Sequence, residues 1–360
     1  MTALLKNVSV AAPVRRRGSI SVPTVTLAHG GGGSAMRNLI DDVFVSVFDN
    51  PALAPLEDQA RFPLAELSRL GDRLALTTDS YVVDPLIFPG GDIGKLAVCG
   101  TINDLAVGGA TPLYLTCSAI IEEGLDVDTL RALAKSMASA AADAGVLIVT
   151  GDTKVVHRGT CDKLFLNTAG VGIIREGVNL GADRCRPGDS VLVNGLLGDH
   201  GAAILIARGD MALSTEIESD CAALHGLIAE LLVAAPSTRF IRDATRGGLA
   251  TVLNEAARAS GVGIEISEAA TPMREEVKAF CEILGLDPLY LANEGKIACV
   301  VPKDEQAAAL QALRGHPLGQ RAAIIGRVTA EWPGRVVMNT VFGGQRIVDM
   351  LVGDQLPRIC

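Results

Sequence analysis

Aromatic side chains are scarce, 3% of the chain with a single Trp, which excludes the stacking platforms of single-strand nucleic-acid binders. A basic surplus is missing too. Lys and Arg number 32 against 41 Asp and Glu, a net charge of −9, whereas phosphate neutralisation needs the opposite balance. Nucleic acid is therefore not an expected partner. No apolar run reaches the ~20 residues of a membrane span: the longest uncharged stretch, Leu105–Ile121, is broken by Gly108, Gly109 and Pro112. The eight cysteines contain no Cys-x-x-Cys pair, so a structural zinc site or redox dithiol has no local signature. A chain this long without dense cysteines reads as a reduced, cytoplasmic protein with free thiols. Arg15-Arg16-Arg17 resembles the start of an export signal, but Pro23, His29 and a glycine run follow in place of a clean apolar segment. Residues 1–26 are expected to be a disordered extension. Two nucleotide motifs are also missing, since there is no G-x-x-x-x-G-K-[ST] and no G-x-G-x-x-G after a strand.

What is present is ample apolar material, 49% of 360 residues, with 39 glycines. That is enough for two domains of ordinary size. Periodicity predicts a helix from Met36 to Val47 capped by Ser34, and a strand over Arg73–Thr78 ending at Asp79. A helix follows from Ile93 through Asp104, and another over Asp128–Asp143 capped by Asp128 and closed by Gly145. Val146–Thr150 and Leu164–Ile174 read as strands. The turn-rich stretch from Gly181 to Asp189 marks a boundary, after which a strand, glycine turn and helix begin again at Ser190. Further helices are expected at Glu218–Ala234, Leu249–Ser260, Pro272–Leu284 (with Thr271 as cap) and Asp304–Arg314. Strands are expected at Gly263–Ile266, Lys296–Val301 and Ala322–Val328. The units are then 27–182, 183–333 and a flexible tail, 334–360, which opens with two short β-like runs after Pro333.

Acids stand where strands end or glycine turns begin: Asp79, Asp104, Asp152 and Asp243. Hard cations take carboxylate oxygens, and Mg²⁺ on nucleotide phosphates takes one or two from protein; singly, each Asp can equally be a cap. Glu294 precedes an apolar strand, at a site edge or in a plain turn. The five histidines show no ligand spacing and read as surface or structural residues. Cys360, the last residue, follows a stiffening Pro357, and a terminal thiol suits a residue that carries a covalent group between sites. Lipidation is excluded because the fourth residue from the end is Pro357, not Cys.

Taken in order, Leu27–Gly31, Thr78–Val82, Phe88–Gly91, Gly94–Ala97, Gly151–Val156, Gly198–Gly201, Asp243–Gly248, Ala292–Lys296 and Pro357–Cys360 resemble the HypE family of hydrogenase maturation factors. The resemblance implies a mixed α/β (α+β), two-domain PurM-like fold, shared with aminoimidazole ribonucleotide (AIR) synthetase and selenophosphate synthetase, and pairing of N-terminal halves into a homodimer. It implies Mg²⁺ on Asp58, Asp104 and Asp243, and ATP beside Asp79, Asn103, Asp152 and Thr153. It implies ATP-dependent dehydration of a carbamoyl group on Cys360 to a thiocyanate, with Glu294 and Lys154 handling protons. The implied partners are the carbamoyltransferase HypF, which loads the thiol, and an iron-carrying HypC–HypD complex, which receives the cyanide. A selenophosphate synthetase-like enzyme would carry a reactive Cys near the first glycine run, where none precedes Cys99. An AIR synthetase-like enzyme would have no use for a terminal thiol. The remaining alternative is a thiol carrier that does not turn over ATP.

Overall fold

The computed structural model describes residues 18–209, 216–351, 353 and 358–360. Of the expected disordered extension, residues 1–17 lie outside these. Residues 18–26, by contrast, are anchored at two points although most of them are exposed: Val25 is fully buried, its N–H donates to Leu125 O (2.8 Å), and Ile20 N–H donates to Asp42 (2.7 Å).

The first helix is shorter than its periodicity suggests. α1 (Ser34–Leu39) is capped by Gly33, not Ser34, and widens into a π-helical turn, Ile40–Val45. This turn buries Val43 and Phe44, while Asp42 binds Arg131 (2.7 Å). After α2 (Leu64–Leu67) come β1 (Arg73–Tyr81), a small hairpin of β2 (Ile87–Phe88) and β3 (Gly91–Asp92), and α3 (Ile93–Val107). Then follow β4 (Ala110–Glu122), α4 (Val127–Ala144), β5 (Leu147–Val156) and β6 (Leu164–Ile174). The four long strands form one sheet in the order β1-β6-β4-β5. Two boundary expectations change. The Asp79 and Asp152 positions are not strand ends, because the ladder continues through Asp79↔Thr168 to Tyr81 and through Asp152↔Ser118 to Val156. The cap of α4 is Asp126, whose carboxylate accepts from Thr129 N–H (2.7 Å), and the helix ends on left-handed Gly145.

α3 is buried nearly all round, which its even distribution of apolar and small residues permits. Asp92 caps it, accepting from Gly94 and Lys95 N–H (2.7 and 3.0 Å). A Cβ on Gly94 would strike the Leu133 carbonyl, so glycine there sets how closely α4 approaches. α3 and α4 cover one face of the sheet. On the other, Leu74, Leu76 and Ile120 are 63%, 74% and 41% exposed.

The second unit contains β7 (Ser190–Val193), α5 (Asp199–Ala207), α6 (His225–Ala234), β8 (Phe240–Asp243), α7 (Gly248–Ser260) and β9 (Gly263–Ser267). It continues with α8 (Glu275–Leu284), β10 (Ile297–Val301), α9 (Gln306–Gly315), β11 (Ala323–Thr329), β12 (Val336–Asn339) and β13 (Gln345–Val348). Its sheet runs β13-β12-β9-β11-β7-β10-β8, with β10 buried along its whole length. The two short β-like runs expected after Pro333 are β12 and β13, and both join this sheet. Two helices start late for one reason: their first residues serve other elements. Ser219 N–H donates to Pro89 O (2.8 Å) and Leu224 N–H to Asn103 Oδ1 (2.8 Å), so the expected helix at Glu218 begins at His225. Pro272 O accepts from Leu197 N–H (3.0 Å), so α8 begins at Glu275, capped by Arg274 rather than Thr271.

Asn103 at the end of α3 joins the two units. Its Nδ2 donates to Ala222 O (3.0 Å) and Glu294 O (3.3 Å), while Oδ1 accepts from Leu224 N–H. Replacing it by Ala leaves buried backbone groups without partners, a loss of about 2–3 kcal/mol for this cluster. Asn103→Ala is expected to lower the urea midpoint accordingly, and a midpoint equal to the parent's would show that the clamp contributes nothing.

Candidate active site between the two sheets

Asp104 on α3 and Asp243 at the end of β8 face one cleft of about 450 Å³ at the domain boundary, lined also by Thr77, Arg242, Thr245 and Arg246. Thr77 Oγ1 donates to Asp104 (3.1 Å). Burial, then the neighbouring Asp79 charge, pushes Asp104 up to about 6. Burial and the Asp104 charge push Asp243 up to about 7. Arg242 and Arg246 pull Asp104 the other way without offsetting its burial. Desolvated carboxyls with too little positive charge fit a hard cation bridging to phosphate oxygens. Beyond Asp243 the chain turns through left-handed Gly247 and Gly248 into α7. Among the described residues, no three carboxylate, imidazole or thiol groups meet closely enough to hold a metal by themselves.

The expected trio is not assembled within one chain. Asp58 lines a separate cavity of about 460 Å³ with Arg37, Thr150, Asp152 and Thr153. The reason is topological: Thr77 and Asp79 belong to β1 and Asp152 to β5, the opposite edges of the four-stranded sheet. Lys154 is exposed and bound to Asp152 (2.7 Å). It shares the helix-free face with Ile120, its register partner, and does not meet Glu294 in this chain. Asn103, expected beside ATP, has both ends of its amide engaged with the second domain's backbone.

Glu294 is 3% exposed and its Oε1 has no hydrogen-bond partner. Burial first, then Asp220, Asp243 and Asp79, hold its carboxyl well above the usual range. Its backbone is fixed from several directions. Glu294 N–H donates to Asp220 (2.9 Å), and Asp220 in turn binds Lys296 (2.8 Å). Burial raises the Asp220 pKa, but Lys296 outweighs it and holds this carboxylate below its ordinary range. A side chain on Gly295 would strike the Asp220 carbonyl. Neighbouring Asn293 accepts from Gly198 N–H (2.7 Å) and donates to Ala244 O (2.8 Å). One buried amide thus draws together three of the sequence motifs.

Cys360 lies at this point. Ile359 is buried in the same core as Cys99, Cys221 and Ala292, and Cys360 packs against it, half-buried. Burial, then Glu294, raises its thiol well above the ordinary value, so the resting sulfur is protonated. Pro357 lies outside the described residues; the last three residues are seated in the protein.

His200 was not singled out by sequence reasoning, yet it is fully buried and binds the tail: Nε2 lies 2.8 Å from Ile359 O and Nδ1 2.8 Å from Ser219 Oγ. The available signal was its place in the Gly198–Gly201 motif that opens α5.

Residues 57–174 and 186–339 match the N-terminal and C-terminal domains of AIR synthase related proteins. A carbamoyl dehydratase HypE from Rhodobacter capsulatus is 61% identical over 336 residues, covering 93% of this chain and 98% of that one. The chain belongs to the HypE family of hydrogenase maturation proteins. A solved HypE structure in complex with ATP aligns with TM-score 0.89 at 49% identity, covering 94% of this chain and all of that one. A HypE–HypF complex aligns at 0.75 and 48%, over 87% of this chain and 99% of that one. The expected two-domain α/β fold of this family is thereby borne out, and the AIR synthetase and selenophosphate synthetase alternatives fall away.

The raised acids predict a pH-dependent stability. A carboxyl at about 7 when folded, against an unfolded value of 3.8, binds more protons folded than unfolded between those values, so stability falls as pH rises through them. Asp243→Asn removes that loss. The nucleotide-free variant is expected to melt higher than the parent at pH 8, by roughly 5 °C or more, with the gap shrinking toward pH 4. A gap that does not change with pH would show that Asp243 is not desolvated.

Proposed function

We propose that the chain dehydrates an S-carboxamide on Cys360 to a thiocyanate, consuming ATP. The observation that supports this best is the seat of Cys360 beside Glu294, a buried carboxyl with a free oxygen. The net change is loss of one water: the C–O bond breaks, two N–H bonds break, and C–N becomes a triple bond. When bound, Mg·ATP supplies the phosphoryl group that turns the amide oxygen into a leaving group. Asp104 and Asp243 are the chain's own donors for the cation, with Asp79 adding negative charge behind them. Glu294 is the acceptor for an N–H proton. Its raised pKa makes it a strong base once ionised, and its burial, 3% exposed, limits competition from bulk water.

Asp58, Asp152, Thr153 and Lys154 form the second group of expected nucleotide and proton-handling residues. We assign them to the same reaction through a homodimer in which a second copy covers the helix-free sheet face; the exposed Leu74, Leu76 and Ile120 support that pairing. The HypE–HypF structure supports HypF as the protein that loads Cys360, and a HypC–HypD complex remains the proposed receiver of cyanide. Free thiols throughout, and no described helix long and apolar enough to cross a membrane, agree with a cytoplasmic setting.

Incubation with carbamoyltransferase, carbamoyl phosphate and ATP, followed by intact mass, tests the reading. The parent should gain one carbamoyl and then lose one water. Cys360→Ala should gain nothing while still binding ATP. Glu294→Gln should gain the carbamoyl and stall at least ~100-fold before water loss, within the range of general-base contributions. A cyanated Cys360→Ala protein would overturn the assignment.

A further inference from the structure

We propose that His200 is the positioning residue for the reacting thiol, holding the end of the chain through a one-way hydrogen-bond relay. The direction follows from the partners. A carbonyl oxygen only accepts, so the contact of Nε2 with Ile359 O (2.8 Å) places the proton on Nε2. Nδ1 of the neutral ring is then an acceptor, and the hydroxyl at 2.8 Å, Ser219 Oγ, donates to it. Ser219 Oγ in turn accepts from Cys221 N–H (3.1 Å). Every group in the chain is satisfied in this direction, and the edge-on Phe88 ring, 5.6 Å between centroids, encloses the imidazole.

The relay works with a second, more exposed set of contacts one residue earlier. Arg358 O accepts from Arg208 Nη2 (2.7 Å) and Asp84 N–H (3.3 Å), and the Arg358 guanidinium pairs with Asp162 (3.1 Å). Arg358 itself is held at a φ of 54°, a region that a long side chain seldom adopts. Two consecutive carbonyls are therefore gripped immediately before Cys360. His200 also sits where the seat meets the base, because the next residue, Gly201, donates its N–H to Ala292 O (3.0 Å) in the loop that carries Glu294. The imidazole thus sets the distance between thiol and carboxyl without touching the reacting atoms.

This rests on the reading that Cys360 carries the carbamoyl group, and the test separates the two. Full-length parent, His200→Leu, His200→Gln, Ser219→Ala and Asp162→Asn proteins are treated with iodoacetamide, and Cys360 alkylation is followed by peptide mass. This arm requires no turnover. Water loss after carbamoylation is then timed at saturating ATP. His200→Leu is expected to speed alkylation about 10-fold and slow water loss by at least as much, the scale of one buried hydrogen bond lost. The Gln amide can still donate to Ile359 O, so His200→Gln should return both rates to within about 3-fold of the parent. Ser219→Ala should lie between, and Asp162→Asn should speed alkylation only 2- to 3-fold, as an exposed pair does. ATP affinity should be the same throughout. Unchanged alkylation in His200→Leu, or equal losses in the Leu and Gln variants, would overturn the proposal. If His200→Leu fails to fold, unchanged alkylation in Ser219→Ala would do the same. Altered alkylation with no carbamoyl ever found on Cys360 would instead uphold the seat and refute the functional reading.

Discussion

The buried Asn293 side chain is the contact on which the rest of the site depends. Glu294, Asp243 and α5 come from separate stretches of the chain, and no disulfide or described metal cluster joins them. Asn293 bonds to Gly198 at the head of α5 and to Ala244 just past Asp243. Asn103 extends the same knot into the first domain. An amide supplies both donors and acceptors in a fixed plane, so it can bind several backbone groups at defined angles, which a charged or apolar residue of similar size cannot. Buried and satisfied, such a group orders its surroundings; missing one partner, it would weaken them.

Around this frame the electrostatics are deliberately unbalanced. Asp104, Asp243 and Glu294 all sit above their ordinary pKa values, and burial is the first cause in each. Arg242 and Arg246 line the cleft without offsetting the burial of Asp104, while behind it Lys296 serves Asp220 and Arg274 serves Asp199 (3.0 Å). The acids behind the site are thus salt-bridged, and those facing it are left without an ion pair among the described residues. That pattern favours an incoming cation.

Much of this was legible in the sequence, for identifiable reasons. β6 was bounded correctly because its alternation runs uninterrupted between turns, and Gly145 marked the end of α4 because a left-handed residue is needed there. Helices that begin late, α6 and α8, were misjudged because the backbone of their leading residues bonds to distant elements, as donor at Ser219 and Leu224 and as acceptor at Pro272, and periodicity carries no information about such partners. The acids at Asp104 and Asp243 stood out through their glycine-rich surroundings. Their separation from Asp58 and Asp152 was invisible, since it depends on strand order. His200 was missed because a buried tautomer with two defined partners has no compositional trace.

The seat of Cys360 in the same molecule as its base has a kinetic meaning. A group carried on Cys360 does not diffuse to the site, because it is covalently joined to the sheet whose β13 strand ends at Val348. Such attachment confers an effective concentration on the order of millimolar or more, far above what a free carbamoylated thiol would reach. The chemical step therefore behaves as a first-order process of the loaded protein, and no saturation by the group being dehydrated is meaningful. Selectivity must be exercised earlier, when the carbamoyl is loaded, because once attached it cannot be exchanged for a competitor.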